Sequence, residues 1–593
     1  MPSREDLPAA NGASVDVHND WTIDPSVFAF TPRKLRVVCI GAGFSGLIMA
    51  YKLKHERPLD FVDFTIYEKN PEVGGAWYEN VYPGVGWYGS PLSSNSRRYK
   101  DDPADNALHA VAVMSPFVHS YIFPFNPNPN WSQCYAKGPE IQQYIVDTTE
   151  KFGLREKIQF NTKLISSIWN EDEGKWALKL QHGGEVFDDK ADVVLDGSGI
   201  LNNWGLPNIE GLDTFQGKVL HTAKWDPDYN WDGKKVAVIG NGSSGIQIVP
   251  ALQPKAGKLV NYIRHATWVS TNLAGDITKD HMGTNFKYTE EEKKLYRENP
   301  EAFLEYRKYV ERSVNSVYKL MLSGSPENEF ISNLVNGVMR ARLAANPHLI
   351  DKLIPDYEVG CRRLSPGDGY LEAMQAENAR FVFDPITRIT PRGILTETGE
   401  EEEFDLIVCA TGFNTSFIPA WELVGRDGRR LDNEWKDIPQ AYFSMCAAGI
   451  PNYFIFTGPN CPIGHGSVPA MLSWSGDYML DWIEKIATED IKSVVVKDSV
   501  VRDFNRYAAE NLKRCVWSKG CTAWYSKKNE PGKSNTVTAM YAGSALHYKA
   551  SIKTIRGEHF DIRHNTSNPF RYLANGELEM ERAEGGDLAY YLQ

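Results

Sequence analysis

Two stretches of this chain repeat one order of residue types. "LRVVCIGAGFSGLIMAYKL" and "KKVAVIGNGSSGIQIVPAL" each pass from a short β-branched apolar run through three glycines into an apolar segment of helical length. That order reads as strand, tight turn and helix. A chain that makes the unit twice, about 200 residues apart, is expected to build two Rossmann-like α/β domains, each around a parallel sheet. In the first loop Gly41, Gly43 and Gly46 form G-x-G-x-x-G, with Phe44 and Ser45 opening the helix. In the second, Gly240, Gly242 and Gly245 are interleaved with Asn241, Ser243 and Ser244. The first glycine of such a loop permits the turn, the second lets a pyrophosphate approach the backbone, and the third lets helix and strand pack closely. The helix N-terminus then presents free N–H groups and its positive dipole end to phosphates.

The strands after the two units end in opposite charges. The strand "FTIYEKN" carries Glu68, 22 residues after Gly46, where a carboxylate can accept from ribose hydroxyls. The strand "LVNYIR" leads instead into Arg264 and His265, 19 residues after Gly245. A guanidinium there neutralises a 2′-phosphate that an acid would repel. Flavin first and nicotinamide second is the usual order of such pairs, so FAD and NADPH are expected. "FDLIVCATGF" and "ADVVLDGSGILNNWGLP" read as strands that return the chain past the two pyrophosphate sites, the latter at the crossing between domains.

These units divide the 593 residues. Residues 1–32, small, polar and proline-containing, read as a flexible arm. Residues 33–200 are expected to form the first part of an FAD-binding domain. Residues 201–364 are expected to form an NADP-binding domain with a helical insert at about 287–350. Residues 365–593 return to the FAD domain and add a C-terminal substrate and loop region. A net charge of −12 argues against nucleic acid or an anionic membrane as the main partner. The polar first residues hold no apolar stretch that reads as a signal peptide, and no run of spanning length occurs, so neither a cleaved leader nor a spanning helix is expected. The eight cysteines, without a CxxC pair, read as buried thiols of a reducing, cytoplasmic setting. No metal site is expected, and the chain is expected as a monomer or weak oligomer.

Between the two units lies "FQGKVLHTAKWD". Gly217 would weaken a helix there, and one histidine without a Cys or carboxylate at ligand spacing is too few for a metal. Phe215, Gly217, His221, Trp225 and Asp226 fit F-x-G-x-x-x-H-x-x-x-W-[P/D]. This resembles the fingerprint of Baeyer–Villiger monooxygenases, flanked by dinucleotide loops as in that family. The resemblance runs from about residue 33 onward and looks closest to fungal members acting on polyketide or terpenoid intermediates of secondary metabolism. It implies that His221 and Trp225 anchor a link between moving domains and are not themselves catalytic. It also implies that "GGAWYENVYPG" is a flavin-cradling loop with Gly75, Ala76, Trp77 and Asn80 beside the cofactor, joined by Tyr121. By the same resemblance Arg363 in "GCRRLSPGDGYLEA" is the catalytic arginine, Arg362 helps hold the 2′-phosphate, and Trp524 in "CTAWYSKKNEPGK" contacts the nicotinamide.

The implied reaction consumes NADPH and O2 and inserts oxygen beside a ketone to give an ester or lactone. It needs a fixed cation where negative charge develops, and an arginine, which keeps its proton near neutral pH, meets that need. One departure stands out. The family's "YPG" turn is succeeded by Cys-Asp, whereas Gly84 here is succeeded by Val85, Gly86, Trp87 and Tyr88 and by a polar stretch, 86–114, without counterpart. Its charges, Arg97, Arg98, Lys100, Asp101, Asp102 and Asp105, disfavour burial, so it is expected to loop outward with its ends close together. Two alternatives stand beside the main reading: a flavin enzyme that hydroxylates N, S or C atoms, and a flavin-binding protein impaired by the 86–114 insertion.

Overall fold

The computed structural model of the protein describes residues 22–85, 118–270, 278–279, 285–521, 523–527 and 535–592. Two five-stranded sheets, parallel throughout, organise it. The first runs Tyr453–Ile455, Val193–Asp196, Leu35–Ile40, Val62–Tyr67, Ile158–Gln159. The second runs Ala379–Val382, Lys258–Tyr262, Lys235–Ile239, Leu406–Cys409, Lys218–His221. In each, the strand that leads into the glycine loop is central. Its successor lies on one side and a returning strand on the other, so each loop opens at a switch point where ligands bind. The strands are continuous apolar runs because both faces are covered, one by helices and the other by an antiparallel sheet, with Thr162–Asn170 and Lys175–His182 over the first sheet and Ile386–Ile389 and Gly393–Thr396 over the second. Val37, Val38 and Cys39 in one sheet, and Val236, Ala237 and Val238 in the other, are fully buried.

The second sheet corrects the expected boundary at residue 364. Strands Ala379–Val382 and Leu406–Cys409 pair within it, so the chain leaves this domain only after residue 409. Two segments connect the domains, and they pair with each other: Trp204 bridges Phe413, and Asn414 N donates to Asn203 O.

The helical insert is present as Glu290–Glu298, Pro300–Ser316 and Pro326–Arg342. A Thr289–Glu292 capping box starts the first helix, and Asn299 and Ser325 cap the other two. The insert is not merely solvated. Tyr288, Phe303 and Tyr306 stand edge-on around the buried His119 ring, with centroids 5.2 to 5.4 Å away.

Two further expectations change. The end of the supposed arm is docked, since Ala29 N and Phe30 N donate to Glu577 O and Tyr572 O; residues 1–21 lie outside the described residues. Six cysteines are buried thiols, but Cys361 and Cys521 form a disulfide, 160 residues apart in sequence with Cα atoms 6.1 Å apart. Spacing along the chain carried no sign of that pair, and it removes the cysteine argument for a reducing compartment. Among the described residues no helix is long and apolar enough to cross a membrane.

The 86–114 stretch lies outside the described residues. Its described flanks meet one short segment: Gly138 N donates to Val85 O, and Val118 N donates to Cys134 O.

Candidate active site

The glycines of the two loops divide by task in the same way. Gly41 and Gly240 have φ of +100° and +111°, a region that favours glycine. A side chain on Gly41 would also press on Gly197 O, and one on Gly240 on Ala410 O, both in the returning strands' exits. Side chains on Gly46 and Gly245 would collide with the carbonyls of Gly41 and Gly240. The middle glycines are different. A Cβ on Gly43 would meet nothing nearer than Gly75 Cα at 3.7 Å, and one on Gly242 nothing within 4 Å. Turn and packing therefore require the outer glycines, and the middle ones leave room for a ligand. That is the shape a dinucleotide pyrophosphate needs.

Glu68 is 3% exposed at the end of its strand. Its Oε2 accepts from Ala42 N at 2.7 Å and its Oε1 from Asn70 N at 2.8 Å. Burial raises its pKa, and these two N–H groups oppose the rise. Each oxygen has a second lone pair for a ribose hydroxyl. Around the second loop, Asn241 Nδ2 donates to His265 O at 2.8 Å, which brings Arg264 and His265 to the loop. Both are exposed. Arg362 Nη1 and the Tyr357 hydroxyl donate to Ala266 O, 3.2 and 3.0 Å away, and pin the same segment.

One cavity of about 730 Å³ joins the two halves. Gly41, Gly43, Phe44, Ser45, Glu68, Gly75, Ala76, Trp77, Asn80 and Tyr121 line it from the first domain. Ser243, Ser244, Arg363 and Trp524 line it from the second loop and the C-terminal half. Trp77 Nε1 donates to the Tyr121 hydroxyl at 3.3 Å. Arg363 retains some accessible surface as part of this wall. Burial draws its pKa down, and the Tyr121 and Tyr525 phenols beside it oppose this.

The fingerprint residues stand off the cavity and have structural reasons of their own. Lys218–His221 is an edge strand of the second sheet, not a free link. Gly217 is wedged, because a Cβ there would press on the Phe215 ring and on Asp405 O. Trp225 is buried against Trp231, and Asp226 pairs with Lys218 at 2.6 Å. The His221 ring, 2% exposed, stacks on Trp204 at 5.0 Å and 16°. Its Nδ1 accepts from Ala223 N, and burial lowers its pKa. The stack holds the imidazole against one of the two inter-domain segments.

Sequence reasoning missed Tyr82, Gln247, Trp204 and Tyr525, all in the cavity wall. Each lies within a stretch quoted above, the YPG turn, the second glycine unit, the crossing segment and the Trp524 loop, but none was singled out there, because its side chain belongs to no spacing rule.

Residues 34–333 match the flavin-binding monooxygenase-like family. The chain is 60% identical to the FAD-binding monooxygenase tazF of Aspergillus terreus, with 100% of each chain covered. It is 33% identical to a Baeyer-Villiger monooxygenase of Pseudomonas aeruginosa, over 93% of this chain and 95% of that one. Among solved structures, the closed form of cyclohexanone monooxygenase superposes with a TM-score of 0.72 at 25% identity, over 90% of this chain and 100% of that one.

Proposed function

Because this chain belongs to the flavin-binding monooxygenase-like family, we propose that it inserts one oxygen atom beside the carbonyl of a bulky ketone to give an ester or lactone. It is an NADPH-dependent flavin monooxygenase of the Baeyer–Villiger type, with FAD and NADPH as cofactors. FAD, when bound, carries the electrons of NADPH to O2 and delivers the oxygen. The residues supply position and electrostatics. The open side of Gly43 and the helix behind it would hold the FAD pyrophosphate, and Glu68 a ribose. Gly75, Ala76, Trp77, Asn80 and Tyr121 would border the flavin. Gly242, Ser243 and Ser244 would take the NADPH pyrophosphate, Arg264 and Arg362 the 2′-phosphate, and Trp524 the nicotinamide.

One observation carries the reading: Arg363, a permanent cation, stands in the wall of a cavity that both glycine loops border. Negative charge on oxygen that develops there meets a fixed positive partner. Ile463, Val468, Leu472 and Met540 in the same wall support a bulky apolar ketone. A polyketide or terpenoid intermediate of secondary metabolism fits that wall.

The test uses purified, FAD-loaded enzyme with NADPH, O2 and a panel of bulky ketones, with products identified by NMR. Arg363→Ala is expected to lose oxygenation by roughly 10²–10³ while flavin reduction by NADPH persists. Normal ester formation by that variant would remove Arg363 from the reaction. A hydroxylated product of the same mass would point to N, S or C hydroxylation instead.

A further inference from the structure

The Ser243 and Ser365 hydroxyls lie 2.8 Å apart and share a hydrogen bond. They come from segments 122 residues apart, with different tasks. Ser243 is the first residue of the helix Ser243–Leu252, which follows the second glycine loop. Ser365 stands two residues beyond Arg363. Ser365 is buried and Ser243 half-buried, so water competes little for the bond.

The rest of the arginine segment is fixed without reference to that loop. Upstream, Cys361 is bonded to Cys521, and Arg362 Nη1 donates to Ala266 O at 3.2 Å. Downstream, Ser365–Pro366 pairs in parallel with Val269–Ser270, and Gly367 N donates to Ser270 O at 3.2 Å. Arg342 Nη2 donates to Gly367 O at 2.8 Å. None of these partners belongs to the glycine loop or its helix. Packing does bring the helix close, since a side chain on Gly367 would press on Ile246. Apolar contact is non-directional and tolerates sliding, whereas a hydrogen bond weakens steeply out of line. The Ser243–Ser365 bond therefore sets register between Arg363 and a helix end suited to a dinucleotide pyrophosphate.

Resting on the monooxygenase reading above, we propose that Ser365 is a positioning residue: through Ser243 it keeps Arg363 in register with the second glycine loop. The cation is then placed by the same helix end that would hold the nicotinamide dinucleotide. A displacement of about 1 Å at a reacting centre can cost on the order of 10²-fold in rate. The other ties limit the movement, so losing this one bond costs about tenfold. Flavin reduction requires the dinucleotide but not the arginine cation, so the loss falls on oxygenation alone.

The experiment compares FAD-loaded, full-length wild type with Ser365→Ala, Ser365→Thr and Ser243→Ala. At saturating NADPH and ketone, kcat for ester or lactone formation by Ser365→Ala is expected to fall about tenfold. Its ketone KM and its rate of flavin reduction should stay within about threefold of wild type. Ser365→Thr keeps the hydroxyl and should recover most of the rate. Both alanine variants remove the same bond, so the Ser243→Ala/Ser365→Ala double variant should be no more than about twofold slower than the slower single variant. Hydrogen–deuterium exchange gives a readout apart from turnover. Amides of residues 363–367 should exchange about tenfold faster in Ser365→Ala than in wild type or Ser365→Thr, with no substrate present. Product formation by Ser365→Ala within about twofold of wild type, or additive losses in the double variant, overturn the proposal. Should Ser365→Ala not fold, Ser243→Ala breaks the bond from the other side and is read in its place, with NADPH kept saturating. A wild type whose flavin NADPH fails to reduce, or that forms no ester or lactone, would instead sink the underlying reading, so the two failures are distinct.

Discussion

The Tyr82 hydroxyl donates to Gln247 Oε1 across 2.5 Å, joining the loop beyond the first glycine unit to the helix of the second. Tyr82 is buried and both residues line the cavity, so this bond ties the domains at the ligand site itself. A hydrogen bond of this kind contributes about 1 kcal/mol net. Tyr82→Phe is therefore expected to raise the KM for NADPH about two- to tenfold with flavin content unchanged. Loss of flavin at an unaltered KM would place Tyr82 in the flavin site instead.

The glycines of the first loop separate folding from binding. A methyl on Gly46 collides with the Gly41 carbonyl, whereas one on Gly43 has 3.7 Å to its nearest neighbour. Gly46→Ala is expected to lower the melting temperature or abolish soluble protein. Gly43→Ala should melt like wild type without cofactor but purify with far less flavin, read from the ratio of flavin to protein absorbance. Equal flavin content in Gly43→Ala and wild type would show that no pyrophosphate rests on that face.

Arg264 is exposed at the mouth of the second loop, where the Asn241–His265 bond holds its segment. Arg264→Ala should weaken NADPH by about tenfold or more and leave NADH nearly unaffected, since only the former carries the 2′-phosphate. The ratio of kcat/KM for the two cofactors checks this. Parallel losses would assign the 2′-phosphate elsewhere, with Arg362 the first candidate.

Much of this was legible in the sequence for one reason: both glycine loops act through backbone geometry that only certain residue types allow. The strand before each loop, Glu68 after the first and Arg264 after the second lie at fixed distances along the chain. The illegible part came from pairing across long separations. Strands Ala379–Val382 and Leu406–Cys409 rejoin the second sheet after the long insert, and no local pattern tells a strand which sheet it enters. Cys361 and Cys521 meet only because the C-terminal segment folds back over the arginines. Tyr82 and Tyr525 are ordinary aromatic residues until the fold sets them in the cavity wall.

His119 gives the fold an acid limit. Both its ring nitrogens lack a partner among the described residues, and burial, with Arg307 nearby, pushes its pKa down to about 3 from 6.5. The folded state holds the neutral ring, so this contribution is present above pH 6.5 and is lost as pH falls from there toward about 3. Each unit costs about 1.4 kcal/mol. His119→Phe keeps an aromatic ring and has no proton to take up. Between pH ~7.5 and pH ~5 wild type should lose about 2 kcal/mol more stability than the variant, measured by denaturant melts at the two pH values. Identical pH dependence in the two proteins would show that another group sets the limit.

The Cys361–Cys521 bond makes the protein something other than a linear polymer. It closes a covalent ring that contains Leu406–Cys409 of the second sheet and Tyr453–Ile455 of the first. The two sheets are therefore threaded on one circle as well as on one chain. A single protease cut anywhere within 362–520 opens the circle but leaves its halves attached, so the nicked protein runs as one species until a dithiol is added. On chain-entropy reasoning, closing a ring of this size disfavours the unfolded state by about 5 kcal/mol.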